Sequence, residues 1–391
     1  MMAADVVERW LESHSPACLA NMRLRPLEHP GLPGTPLSVQ RGQAEAYVLE
    51  ADDGSRWILK RFHHNCNLDR QYLKAVAQLL PRHDGLIAGT ERQVLSIGDL
   101  TQESNTYHSA SLAQWLDGCL LMRRIQGVDW SAIADELREG DIALGLDERV
   151  ALCRNLCEII ELLEQHDLAH RDLSSGNVFF NTTTWSAALI DFDSLYAPQL
   201  PMPKATTCGT AGYTAPYAWR HGQLDASGTW RPHADRHALA ILCAELLLMD
   251  QGSPLTAEGG MFDQNELRAQ HGQGIQRAID QLQTVLPQAA ALFEQAIRAS
   301  SFDECPSPQQ WMACWSNAPI SRLTPPSLND MQAIEADCFA NILRKQRPAA
   351  PLWPAPALGS LPQVQLTVPP SEPAIPAYAV SLPDNPWEIT P

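Results

Sequence analysis

The chain has 391 residues and a mass of 43.1 kDa, room for two or three domains at roughly 100–200 residues each. Apolar residues make up 45% of it, the level of a folded globular protein and not of a disordered one. Its 28 basic and 45 acidic residues leave a net charge of −17, which repels phosphate backbones and anionic lipid surfaces and excludes both as first-choice partners.

The N-terminal MMAADVVERWLES carries early acids and no apolar stretch, so it reads as a short helix in an extension over residues 1–35, not as a secretory signal. RGQAEAYVLE and SRWILKRF then flank Asp52, Asp53 and Gly54, a hairpin signal. His63, His64 and Cys66 in RFHHNCN are possible metal ligands, but no second pair stands at a useful spacing and no zinc site is expected. Leu68, Tyr72, Leu73, Val76, Leu79 and Leu80 line one side of a helix. Short apolar runs follow, ending in CLLMRRIQG. From Asp147 the character changes to helices, the first being LDERVALCRNLCEIIELLEQHDL. Its Cys153 and Cys157 share a face as core thiols, and the ten scattered cysteines read as reduced thiols of a cytoplasmic protein.

HALAILCAELLLM and QAAALFEQAIRAS continue the helical half. The apolar run at 239–249 is too short for a bilayer, which needs about 20 residues, so no membrane span is expected. Within residues 319–346, Leu328, Met331, Ile334, Cys338, Phe339 and Ile342 recur at helical spacing behind a capping Ser327 and predict one extra helix. Residues 347–391 are roughly a quarter proline and almost uncharged, a flexible tail favouring polyproline II. PxxP spacing recurs, for instance as Pro351 with Pro354, Pro373 with Pro376, and Pro383 with Pro386. Either a plain linker or a ligand for a partner fits it, with Trp353, Tyr378 and Trp387 as anchors in the second case.

Chemistry concentrates in HRDLSSGNVFFNTTTWSAALIDFDSLYAP. Asp172 and Asn177 lie on a loop after the long helix, and VFF and AALI are strands joined by a polar turn at 181–184. Such a hairpin brings Asn177 and Asp191 to one end, near Asp172. The Asn177 carbonyl and the Asp191 carboxylate are hard oxygen donors of the kind Mg²⁺ takes beside phosphate oxygens. Asp172 is then free to accept a hydroxyl proton. Lys60 closes an apolar run, Trp57 to Leu59, where a cation is costly unless it meets an anion such as a nucleotide phosphate or snorkels to water.

In this order the motifs resemble those of eukaryotic-type serine/threonine protein kinases, with a bacterial member in view. His170, Arg171, Asp172 and Asn177 match HRDxxxxN; Asp191, Phe192 and Asp193 stand where DFG is expected. CGTAGYTAPY at 208–217 resembles the GTxGYxAPE end of an activation segment, and Asp235 resembles the aspartate that opens the central helix of the large lobe and steadies the catalytic loop. The resemblance covers about residues 36–318. It implies an α+β, two-lobe fold, with a strand-rich small lobe (36–124) and a helical large lobe (125–318). By resemblance, Lys60 pairs with the α- and β-phosphates of ATP, Asp172 is the catalytic base, Asn177 and Asp191 hold Mg²⁺, and Thr210 sits beside Asp172. Arg171 before the aspartate implies control by a phosphorylated segment, with Thr206 and Thr207 either candidate phosphosites or plain loop threonines. Asp129 is placed either at a ribose hydroxyl or at the surface. The implied activity is transfer of the ATP γ-phosphoryl group to serine or threonine of proteins.

The sequence departs from the pattern at five places. Val39, Arg41 and Ala44 occupy expected glycine positions, with only Gly42 nearby. Ser174 replaces a lysine near the transferred phosphoryl group. Asp193 replaces the DFG glycine and Tyr217 the APE glutamate. The helix after Lys60 has no glutamate; Asp69 is the expected acidic partner of Lys60, with the position of Gln71 competing. Two other functions stay open: a pseudokinase scaffold with weak or no transfer, and a small-molecule kinase on a related fold.

Overall fold

The computed structural model describes residues 4–41, 44–63, 69–97, 110–181, 184–203, 209–221, 223–256 and 260–316. Gly42, His64, Cys66, Thr206, Thr207, the helix expected in 319–346 and the proline-rich tail lie outside the described residues.

Helix α1 (Ala4–Glu12) opens the chain, followed by β1 (Ala17–Leu19), β2 (Met22–Pro26), a small hairpin of β3 (Glu28–His29) and β4 (Leu32–Pro36), then β5 (Ser38–Arg41), β6 (Ala44–Ala51) and β7 (Arg56–Phe62). Helix α2 (Arg70–Leu79), the single turn α3 (Ile87–Thr90), β8 (Arg92–Val94), α4 (Ala110–Leu116) and β9 (Leu120–Arg123) complete the first lobe. Its antiparallel sheet has the order β1-β2-β6-β7-β9-β8, with β5 beside the first half of β6 and β2 beside the second. Residues 17–26, read as extension, thus add two strands to this sheet. The hairpin expected at Asp52–Gly54 joins β6 to β7. Gly54 takes a φ of +80°, a conformation that glycine adopts without a Cβ penalty, and Asp53 accepts the Ser55 N–H at 2.9 Å.

Side chains alternate across β7 and divide between two cores. Leu59 points to an outer cluster with Val7, Trp10, Leu19, Leu49, Trp115 and Leu121, which α1 and α4 cover. Ile58 and Phe62 point the other way, against the main core. Lys60 shares their parity, and this is what turns its ammonium toward the second lobe.

That lobe contains β10 (Val128–Asp129), α5 (Trp130–Glu139), α6 (Leu146–Gln165), the hairpin β11 (Val178–Asn181) and β12 (Ser186–Leu189), a short pair β13 (Trp219–Arg220) and β14 (Gln223–Leu224), and helices α7 (Arg236–Leu248), α8 (Gln264–Ala269), α9 (Gln273–Val285), α10 (Pro287–Arg298) and α11 (Pro308–Ser316). Helix α7 is apolar almost all round and buried from His237 to Leu247, as a helix at the centre of a lobe must be. Helix α6 packs on it, with Arg149 donating to the Leu246 carbonyl at 3.0 Å and Cys153 Sγ lying 3.8 Å from the Cys243 carbonyl, and Arg236 of α7 holds Glu164 of α6 with two bonds of 2.8 Å. Asp129 is buried and caps α5, accepting the Ala132 N–H at 3.1 Å, so it is not a surface residue. The architecture is α+β in two lobes, a curled antiparallel sheet followed by a helical part, as expected. Among the described residues no helix is long and apolar enough to cross a membrane.

Candidate active site

The loop after α6 is fixed by its backbone before any side chain acts. Asp235, buried at the start of α7, accepts the N–H of His170 at 2.6 Å and of Arg171 at 2.7 Å. The His170 ring bonds the Ile190 carbonyl at 2.7 Å and meets Phe192 edge-on, with centroids 5.0 Å apart. Arg171 has φ +67° and Asp191 φ +66°, a conformation that costs an L-residue about 1–2 kcal/mol and persists only where surrounding bonds outweigh it. For Arg171 those bonds are plain. Its guanidinium is buried and donates to the carbonyls of Ser194, Thr229 and Ala226, each at 3.0 Å, and lies over the Trp230 ring. These commitments make it a strut between loops, and they do not favour the expected pairing with a phosphothreonine.

Three expected residues converge at the head of this loop. Thr210 Oγ1 donates to Asp172 Oδ1 at 2.9 Å, and Asn177 Nδ2 donates to the Asp172 carbonyl at 2.7 Å and to its Oδ2 at 3.3 Å. Burial raises the Asp172 pKa to about 6, against the opposing pull of His170 and of these donors. With its nitrogen engaged, Asn177 has its amide oxygen for a hard cation, and its own carbonyl holds Ile190 N–H at 3.0 Å, aligning the strand that delivers Asp191.

Lys60 meets this group from the sheet. Its Nζ lies 2.7 Å from Asp191 Oδ1 and 2.6 Å from Asp193 Oδ2, and Asp193 Oδ1 accepts Arg92 Nη2 at 2.8 Å. Burial alone would lower the Lys60 pKa, but the carboxylates of Asp193 and Asp191 prevail and push it up to about 12. Burial likewise opposes ionisation of Asp193, yet Lys60 and Arg92 hold its carboxyl well below the usual range. Asp69 is not the partner of Lys60. It caps α2, accepting from Gln71 N at 2.9 Å and Tyr72 N at 3.2 Å, because an aspartate directly before a helix satisfies N–H groups that have no other acceptor. Gln71 shares that helical turn, and α2 carries no acid at all.

One of the other departures has a physical replacement. Tyr217, where an ion-pairing glutamate was expected, packs edge-on against Phe302 at 4.7 Å and bonds Cys305 Sγ at 3.1 Å. Ser174 is buried and brings no charge to the position two residues after Asp172. In the β5–β6 hairpin Val39 stands opposite Ala46 and Arg41 opposite Ala44. The sequence reading missed Arg92 and Glu245. Glu245 is buried in α7 and accepts from Trp130 Nε1 at 3.2 Å, Tyr213 Oη at 2.8 Å and Met261 N at 2.8 Å, tying these three segments to the lobe centre. A lone charge inside HALAILCAELLLM was the signal for it, and a lone arginine in a short strand was the signal for Arg92.

Taken together, the two-lobe fold and a lysine, two aspartates and an asparagine at the junction of its lobes define a protein-kinase-like architecture. No family model matches the chain. Among curated proteins it is similar to the phosphorylase b kinase gamma catalytic chain, liver/testis isoform, of Mus musculus and of Homo sapiens. With each it is 24% identical over 199 residues, 46% of this chain and 48% of the relative. The chain therefore spans about half the length of the curated relatives it matches. This similarity supports the protein kinase family.

Proposed function

We propose that the chain is an ATP-dependent serine/threonine protein kinase that transfers the γ-phosphoryl group to hydroxyls of proteins, itself included. The observation that carries this reading is the Asp172 carboxylate, held by Thr210 and Asn177 beside the Lys60–Asp191 pair. An acid with a pKa near 6 is mostly ionised at neutral pH and still accepts a proton readily, which suits a general base. Asp172 orients the attacking hydroxyl and takes its proton. Lys60 reaches the α- and β-phosphates of the nucleotide. Asn177 and Asp191 are a donor set that fits Mg²⁺, which when bound neutralises charge on the β- and γ-phosphates. Protein substrates fit better than small molecules because Thr210 belongs to an activation-segment motif that ends at the bulk of the second lobe. The scattered cysteines, without a disulfide-like spacing, and the acidic charge agree with work in the cytoplasm. The proline-rich tail fits a partner that reads PxxP.

A second reading, a pseudokinase scaffold, draws on the buried Ser174 and the side chains at 39, 41 and 44. Incubation with labelled ATP and Mg²⁺, with mapping by mass spectrometry, separates the two. Label on serine or threonine that vanishes in Asp172→Ala supports the kinase; nucleotide-dependent thermal stabilisation without label supports the scaffold.

A further inference from the structure

The lysine of the sheet has lost its helix acid, and the structure contains a substitute from an unexpected place. From Arg61 to Leu79 the sequence holds a single acid, Asp69, and that carboxylate caps α2. Residue 193, a glycine in the family motif, is here an aspartate whose two oxygens are divided between two cations. One holds Lys60 at 2.6 Å and the other holds Arg92 at 2.8 Å. Arg92 is only 2% exposed at its side chain, so a cation there requires a fixed anion, and Asp193 supplies it. Lys60, Arg92, Asp191 and Asp193 form a group of two positive and two negative charges. If Asp191 turns to a cation, Asp193 remains to neutralise and aim Lys60.

We propose that Asp193, anchored by Arg92 of β8, is the positioning residue for Lys60, and so takes the part that a glutamate on the helix plays elsewhere; the inference rests on the kinase reading of the site. Its consequence is that the charge contact of Lys60 lies within the sheet and the segment after Asp191. Helix α2 touches that segment instead through Tyr72, whose hydroxyl donates to the Leu195 carbonyl at 2.5 Å. No side chain of α2 therefore takes part in the ion pairs of Lys60.

The test reads the lysine itself and needs no phosphoryl transfer. The full chain is labelled with an amine-reactive N-hydroxysuccinimide ester over a time course at one fixed pH, and modification of Lys60 is followed by mass spectrometry. Removing one of the two carboxylates that hold Nζ frees the amine, so Asp193→Asn labels several-fold faster than wild type. Asp193→Gly, which installs the family residue, behaves the same way and serves if the asparagine variant does not fold. Asp193→Glu restores the wild-type profile, and Asp69→Asn matches wild type throughout. In the ATP-dependent assay Asp193→Asn raises KM for ATP about tenfold or more, whereas Asp69→Asn leaves it unchanged. Wild-type labelling by both Asp193 variants, or equal acceleration by Asp69→Asn, overturns the proposal. Absence of phosphoryl transfer by wild type overturns the kinase reading alone, because the labelling profile still decides what holds Lys60.

Discussion

Asp172→Asn should make the protein more stable while abolishing its chemistry. Burial lifts the Asp172 carboxyl from 3.8 to about 6, so at neutral pH the fold carries a charge it would rather not carry. Two pKa units correspond to about 3 kcal/mol, the ceiling on that cost. Asparagine keeps the shape but turns one acceptor into a donor, which weakens the bond from Thr210 or Asn177 by about 1 kcal/mol. The net gain is then about 1–2 kcal/mol, and each kcal/mol raises Tm by roughly 2–4 °C in a domain of this size. The pH dependence carries the diagnosis. The folded pKa lies above the unfolded one, so the native state holds the proton more tightly. The cost of ionisation is therefore absent below about pH 4, grows between about 4 and 6, and is complete above about 6. Thermal melts of wild type and Asp172→Asn at a series of pH values should converge at the acid end and separate toward neutral. Curves that run parallel throughout, or a less stable variant at neutral pH, would refute the reasoning.

Phosphoryl transfer should decline about tenfold per pH unit below about pH 6 as Asp172 takes up a proton, visible in a kcat/KM profile. Asp69→Ala should cost about 1 kcal/mol in urea unfolding through loss of the α2 cap, with no change in KM for ATP. Glu245→Ala should cost about 2–4 kcal/mol, because it strands the buried donors of Trp130, Tyr213 and Met261; the loss is measured by the same unfolding series. Gly89→Ala places a Cβ against Leu80 and 2.8 Å from the Phe192 ring, so it should destabilise by about 1–3 kcal/mol and, by moving Phe192 off His170, lower kcat more than KM rises.

How far the sequence could be read depended on whether a feature was local. The β6–β7 hairpin, α6 and the β11–β12 hairpin were legible because turn chemistry and periodicity are written in consecutive residues. The convergence of Asp172, Asn177, Thr210 and Asp235 was legible through motif order, since each residue has one place in that arrangement. The partner of Lys60 was not. Asp69 looked suitable by proximity in sequence, but a residue just before a helix is claimed by the helix N-terminus. The true partner lies 133 positions away, at a residue first read only as a missing glycine. Arg92 is intelligible only together with Asp193, and no pattern within either segment links them. The docking of residues 17–26 onto the sheet escaped notice for the same reason, because pairing between β2 and β6 is set by register across some 25 residues of intervening chain.

The central claim is that this site transfers phosphate with Asp172 as its base. Its most direct measurement is the initial rate of label transfer from γ-labelled ATP to a generic protein substrate, by wild type and by Asp172→Ala. The account predicts transfer to serine or threonine by wild type and a loss of about 10²–10⁴-fold in the variant. Equal rates in the two proteins, or nucleotide binding with no transfer by wild type, would contradict it.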